Sequence, residues 1–91
     1  MIASATPPAA QETIPHAWGD ANVALATGVA ALSVLRVKEC GGRATDVEVH
    51  AYVYAQEAVG DAAIFARVIA LSDYFRNEGI DPKAILCSRA R

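Results

Sequence analysis

Residues 47–54 have the sequence Val-Glu-Val-His-Ala-Tyr-Val-Tyr, and their alternation decides the fold that the sequence predicts. Small apolar residues alternate with polar or aromatic ones, which is the period of a β-strand with one buried face and one wetter face. The apolar face holds Val47, Val49, Ala51 and Val53, and the other face holds Glu48, His50, Tyr52 and Tyr54. The pattern therefore predicts a central strand.

Helical patterns lie on both sides of this strand. Apolar residues recur at helical spacing over residues 20–40, and Gly41 and Gly42 form the expected stop. A second helix is predicted from about residue 62 to residue 78, with Gly79 just past its end. A short final strand is expected over residues 84–88.

The order of these elements defines the predicted fold class. Residues 1–19 are rich in alanine and proline and are expected to form an extended or disordered leader, with an optional short strand at residues 12–14. Residues 20–91 then form a single domain with the order (β)αβαβ. Such alternation predicts an α/β fold, an α+β sandwich in which two helices cover one face of a sheet of about three strands.

Composition excludes several classes of function. The chain has 91 residues, a net charge of −2 and 54% hydrophobic residues, which suits one packed domain and gives no basic surface for nucleic acid. Residues 21–35 are the best candidate for a membrane span, but they are too few and include Asn22 and Ser33. We therefore expect no nucleic-acid partner and no membrane span.

The sequence shows no constellation that carries catalysis. The serines lack the glycines of a nucleophile elbow, and neither a phosphate-binding loop nor a dinucleotide-binding glycine motif is present. Cys40 and Cys87 fit no zinc-ligand spacing. The sequence therefore predicts a protein that is not an enzyme and has no cofactor and no metal site.

The two cysteines leave two interpretations open. In an oxidising compartment, Cys40 and Cys87 would form a disulfide bond. In a reducing compartment, they would be two small, partly buried apolar side chains. No Lys or Arg within residues 2–35 supplies the positive region of a signal peptide, so the compartment stays open at this point.

Residues 67–85, RVIALSDYFRNEGIDPKAI, resemble the C-terminal, peptidoglycan-associating domain of OmpA-like proteins. In that family a helix carries an arginine, then a hydrophobic-x-x-Tyr-hydrophobic run, then Gly-Ile and a turn into Ile. The matching positions are Arg67, Leu71, Tyr74, Phe75, Gly79, Ile80 and Ile85. The resemblance implies an OmpA-like fold and a non-catalytic binding module of the periplasm or cell envelope, with a peptidoglycan fragment or an envelope protein as partner.

The resemblance also implies a ligand-binding surface. Arg67 matches the family arginine that binds the stem peptide, and Tyr54 and Glu57 are expected beside it. A guanidinium group offers paired donors to a carboxylate. The alternative for Arg67 is an exposed helix arginine near Asp61 or Glu57.

A second candidate surface comes from the strand pattern itself. His50, Tyr52 and Tyr54 would share one face of the strand and form an amphipathic surface suited to protein partners. Alternatively, the tyrosine rings pack under the leader. A surface of this kind favours a small structural or assembly subunit as the alternative function.

Overall fold

The computed structural model describes the backbone of residues 8–87 and the side chains of residues 21–87. The elements are four helices, α1 (Pro8–Cys40), α2 (Asp46–Val59), α3 (Asp61–Asn77) and the short α4 (Pro82–Leu86). Within residues 8–87 no residue belongs to a β-strand. The predicted α/β sandwich is therefore wrong, as is the α/β fold that the OmpA-like resemblance implied.

The predicted central strand, residues 47–54, is part of α2. Thr45 begins the helix with a capping box: its hydroxyl accepts from the Glu48 backbone N–H at 3.2 Å, and the Glu48 carboxylate accepts from the Thr45 N–H at 2.8 Å. No Gly or Pro interrupts the 14 residues that follow. Once the first turn is capped, the helix can continue through the alternating pattern.

The predicted final strand is also helical. Asp81 accepts a hydrogen bond from the Lys83 backbone N–H at 3.0 Å, and Pro82 occupies the first helical position, so α4 has two start signals. Residue 88 lies outside the described residues. The optional strand at residues 12–14 falls within α1.

Both helices that the sequence predicted are present. α1 includes residues 20–40, and α3 lies within one residue of the predicted bounds. Gly79 has a φ of 70°, and the N–H of Gly79 and of Ile80 donate to the carbonyls of Arg76 and Phe75 at 3.1 and 2.8 Å. This is a Schellman motif, which confirms the predicted stop. Residues 8–19 of the predicted leader are helical, residues 1–7 lie outside the described residues, and a domain boundary at residue 19 stays a prediction.

α1 is the central helix, and α2 and α3 both pack against it. One buried cluster joins α1 to α3 and contains Ala31, Leu35, Val68 and Phe75. A second cluster joins all three helices and contains Ala30, Ala55 and Ile64. Leu35 and Ile64 are the largest fully buried side chains among the described residues, so the core is small.

The carboxyl end of α1 is tied to α4. A disulfide bond joins Cys40 to Cys87 with a Cα–Cα distance of 5.5 Å, which answers the question of pairing that the sequence left open. Nearby, the Lys83 ammonium lies 2.9 Å from the Glu39 carboxylate. Ile80 and Leu86 pack against the α1–α3 cluster. The turn and α4 therefore cover this end of the core.

The described molecule is elongated, with extents of 54 × 27 × 22 Å. α1 has 33 residues and a length of about 50 Å. Val59 and Ala63, on either side of the α2–α3 turn, lie beside Val23 and Thr27. At its amino end, α1 therefore extends beyond the α2–α3 turn. Among the described helices, none combines the length and the apolar character that crossing a bilayer requires.

Candidate interaction surface

α2 exposes several large apolar side chains. Val47 is 74% exposed, Val49 49%, Val53 44% and Tyr54 42%. A helix of this length in a small domain ordinarily directs such side chains into the core. Contiguous exposed apolar residues often mark interaction sites, whereas single exposed apolar residues are ordinary on protein surfaces.

An apolar groove lies between α1 and α2. Its volume is about 370 Å³. Val34 and Val37 line it from α1, and Val49 and Val53 line it from α2. We refer to these four residues as the valine groove. Ala44, Ser33, Glu48 and Tyr52 complete the lining.

Each polar side chain at the groove has a partner within the protein. The Ser33 hydroxyl donates to the Ala30 carbonyl at 2.8 Å. The Tyr52 hydroxyl donates to the Asp61 carboxylate at 2.8 Å, and this hydrogen bond, with desolvation, raises the pKa of Tyr52. The groove therefore presents apolar surface to a ligand.

Glu48 is the acidic residue of the groove lining. Burial would raise its pKa, but the Thr45 backbone N–H and the Arg36 guanidinium outweigh burial, so the pKa lies below its ordinary value. Arg36 lies 2.5 Å from the Glu48 carboxylate and also donates to the Arg43 carbonyl at 3.3 Å. Glu48 is thus a structural anion that ties α1 to the start of α2.

A second depression lies between α1 and α2 and shares no lining residue with the valine groove. Leu25, 67% exposed, contributes from α1, and Val47, His50 and Tyr54 contribute from α2. Its volume is about 420 Å³. Two apolar depressions that share no lining residue therefore lie along α2.

The structure separates the three residues of the predicted interaction face. His50 and Tyr54 lie four residues apart and line the same depression. Tyr52 lies on another side of α2, lines the valine groove and packs against the cluster of Ala30 and Ile64. The reason is the helical turn of about 100° per residue, which puts positions i and i+4 on one face but not i+2.

The structure also separates the residues of the predicted ligand surface. Arg67 is exposed on α3 and lines a depression with residues of α1 and with Val59 and Ala63. Tyr54 lines a different depression, and Glu57 is exposed near the end of α2. No side chain of residues 21–87 forms an ion pair with Arg67. Binding of a wall fragment by these three residues stays a prediction.

No group of three or more His, Cys, Asp or Glu side chains within the described residues is arranged to hold a metal ion. Cys40 and Cys87 are joined to each other, so neither is a free thiolate in this state.

Sequence reasoning missed the valine groove because it assigned Val49 and Val53 to a buried strand face. A signal for the helix was nevertheless present: Thr45-Asp-Val-Glu48 is the capping-box pattern that precedes many helices. With α2 recognised as a helix, the spacing of Val49 and Val53 places both on one helical face.

Comparison of the chain with models of protein families, with curated proteins and with solved structures finds no match. The resemblance to OmpA-like domains stays a prediction made on residues 67–85.

Proposed function

We propose that the protein is a non-catalytic helical interaction module of the cell envelope that docks an apolar helix face of a protein partner in the valine groove. The observation that carries the proposal is the exposure of Val49 and Val53, close to half of each side chain, at the wall of an apolar groove. Because each side chain is already about half buried, completing its burial in a complex contributes about 0.7–1.5 kcal/mol.

The form of the groove favours a helix over a small molecule. Pockets for small ligands enclose most of the ligand surface. Here Val49 and Val53 are each close to half exposed, so a small ligand would remain partly exposed. An amphipathic helix would cover the groove along α2 and bury its own apolar stripe at the same time.

The disulfide bond supports the proposed location. Cysteine pairs persist in oxidising compartments such as the periplasm and the cell surface, whereas cytosolic thiols are kept reduced. Cys40 and Cys87 are both committed to the bond. The periplasm or the cell envelope is therefore the compartment that we propose, in agreement with what the OmpA-like resemblance implied.

Site-specific photo-crosslinking in the cells that produce this protein tests the proposed function. We expect a benzophenone amino acid at position 53 to give one adduct of discrete mass, because the partner helix lies against this residue. The same probe at Ala66, exposed on α3, is the matched control and should give none.

A second substitution makes this experiment specific. Val49→Asp places a charge in the groove without opening the core, since Val49 is 49% exposed. The adduct at position 53 should then disappear while the protein stays folded by circular dichroism. Equal crosslinking at positions 53 and 66, or an adduct indifferent to Val49→Asp, would contradict the proposed groove.

A further inference from the structure

We infer that the partner is a second copy of this chain, with the two α2 helices packed antiparallel about a two-fold axis and each Val49–Val53 pair seated in the other copy's valine groove. This inference rests on the proposed function and names its partner. Three observations carry it: the apolar side chains that α2 exposes, the self-complementary form of the groove, and the charges at the ends of α2.

The apolar side chains that α2 exposes supply contact area for such a dimer. Val49 and Val53 are 49% and 44% exposed, and Tyr54 is 42% exposed. A two-fold contact covers these side chains twice, because each copy contributes the same surface.

The groove and the side chains beside it are suited to a symmetric contact. Val49 and Val53 form one wall of the groove and also project from α2. A two-fold axis near residue 51 would place these two valines of each copy against the groove of the other. Closed symmetric dimers use the same patch on both subunits in this way. The contact would join α1 and α2 of both copies in a four-helix core.

The charges at the ends of α2 fit the antiparallel direction. Arg43 lies just before the helix and Glu57 near its end, and both are exposed. Within the described residues neither side chain has an ion-pair partner. Residues 43 and 57 are centred on residue 50, one residue from the centre of the Val49–Val53 pair, so an axis at this part of α2 brings each Arg43 near Glu57 of the second copy. The antiparallel arrangement also pairs opposite ends of the helix dipoles.

Sedimentation equilibrium of the oxidised, purified chain tests the inference. We expect a mass about twice the 9.5 kDa of the chain. Val53→Asp should give the monomer mass with unchanged helicity, because the carboxylate would be buried at the contact. Ile69→Asp, on α3 and 63% exposed, is the matched control and should leave the dimer intact.

A charge exchange tests the symmetry. Arg43→Glu and Glu57→Arg should each weaken the dimer about tenfold, since each change creates two like-charge contacts per dimer. A mixture of the two variants should recover the dimer, because both contacts in the mixed dimer again join opposite charges. The chain that carries both substitutions should also dimerise.

Each outcome decides between the two proposals. A wild-type chain that remains monomeric at millimolar concentration overturns the second copy as partner. If a crosslink at position 53 then forms with a partner of another mass, the proposed function survives. If Ile69→Asp disrupts the dimer and Val53→Asp does not, the α2 interface itself is overturned. The same conclusion follows if the mixture of Arg43→Glu and Glu57→Arg chains does not dimerise.

Discussion

Glu48 has the central role at the residue scale, because one carboxylate satisfies two requirements. It accepts the backbone N–H of Thr45, which caps α2, and it pairs with Arg36 of α1. The Arg36 and Glu48 side chains are each 20% exposed, so the pair is less screened by water than a fully exposed ion pair. The start of α2 is thereby fixed both locally and against the central helix.

Stability should therefore depend on the ionisation of Glu48. The pKa of Glu48 in the folded protein lies below its ordinary value of 4.5, so the stabilisation is present above that value and is lost as the pH falls through the folded pKa. We expect Glu48→Gln to lower the free energy of unfolding by about 0.5–1 kcal/mol at neutral pH. Urea unfolding at pH 7 and pH 3 measures this difference.

The control for this prediction is Ile64→Val. It removes one methyl group from a fully buried, uncharged side chain and should cost about 0.5–1.5 kcal/mol at both pH values. If Glu48→Gln lowers the free energy of unfolding by the same amount at pH 3 as at pH 7, the ionised carboxylate does not have the assigned role.

The element scale is dominated by the junction of α2 and α3. Gly60 is the only residue between the two helices, and its backbone has φ 89° and ψ 161°. This region is accessible essentially to glycine alone. Gly79, after α3, is different: its φ of 70° and its Schellman hydrogen bonds place it in the left-handed helical region, which asparagine also adopts.

Asparagine substitution should distinguish these two glycines. A Cβ at either position would meet no atom within 4 Å, so any cost comes from the backbone and not from a clash. We expect Gly60→Asn to lower the free energy of unfolding by about 1–3 kcal/mol. Gly79→Asn should cost distinctly less. Thermal unfolding of both variants provides the comparison, and equal losses would show that the Gly60 conformation is not required for the hairpin.

At the scale of the whole molecule, the disulfide bond compensates for a small core. Leu35 and Ile64 are the largest fully buried side chains among the described residues, which is little for a chain of this length. The bond between Cys40 and Cys87 closes a loop with a sequence separation of 47. A loop of that size restricts the unfolded chain by about 4 kcal/mol in the chain-entropy description.

Reduction of the disulfide should therefore lower the free energy of unfolding by about 2–4 kcal/mol. The Cys40→Ala/Cys87→Ala double variant should have the stability of the reduced wild-type protein and should not respond to a reductant. Denaturant unfolding with and without a phosphine reductant measures both. If the oxidised and reduced chains unfold at the same denaturant concentration, the bond does not support the fold.

The sequence alone determined those features that depend on neighbouring residues. The helices over residues 20–40 and about 62–78 and the stop at Gly79 were predictable, because each depends on helical apolar spacing and on a local backbone requirement. The Thr45–Glu48 capping box is equally local, and it could have indicated that residues 47–54 are helical. Alternation of valine with polar residues was the weaker signal, since β-propensity depends strongly on packing.

Tertiary structure alone decided which residues meet. The pairing of Cys40 with Cys87 and of Arg36 with Glu48 requires α4 and α2 to pack back against α1. The valine groove likewise exists only where α1 and α2 lie side by side, with Val34 and Val49 contributed by separate helices. Sequence periodicity specifies which face of one helix is apolar. The packing of a second helix decides how much of that face is buried and how much stays open to a partner.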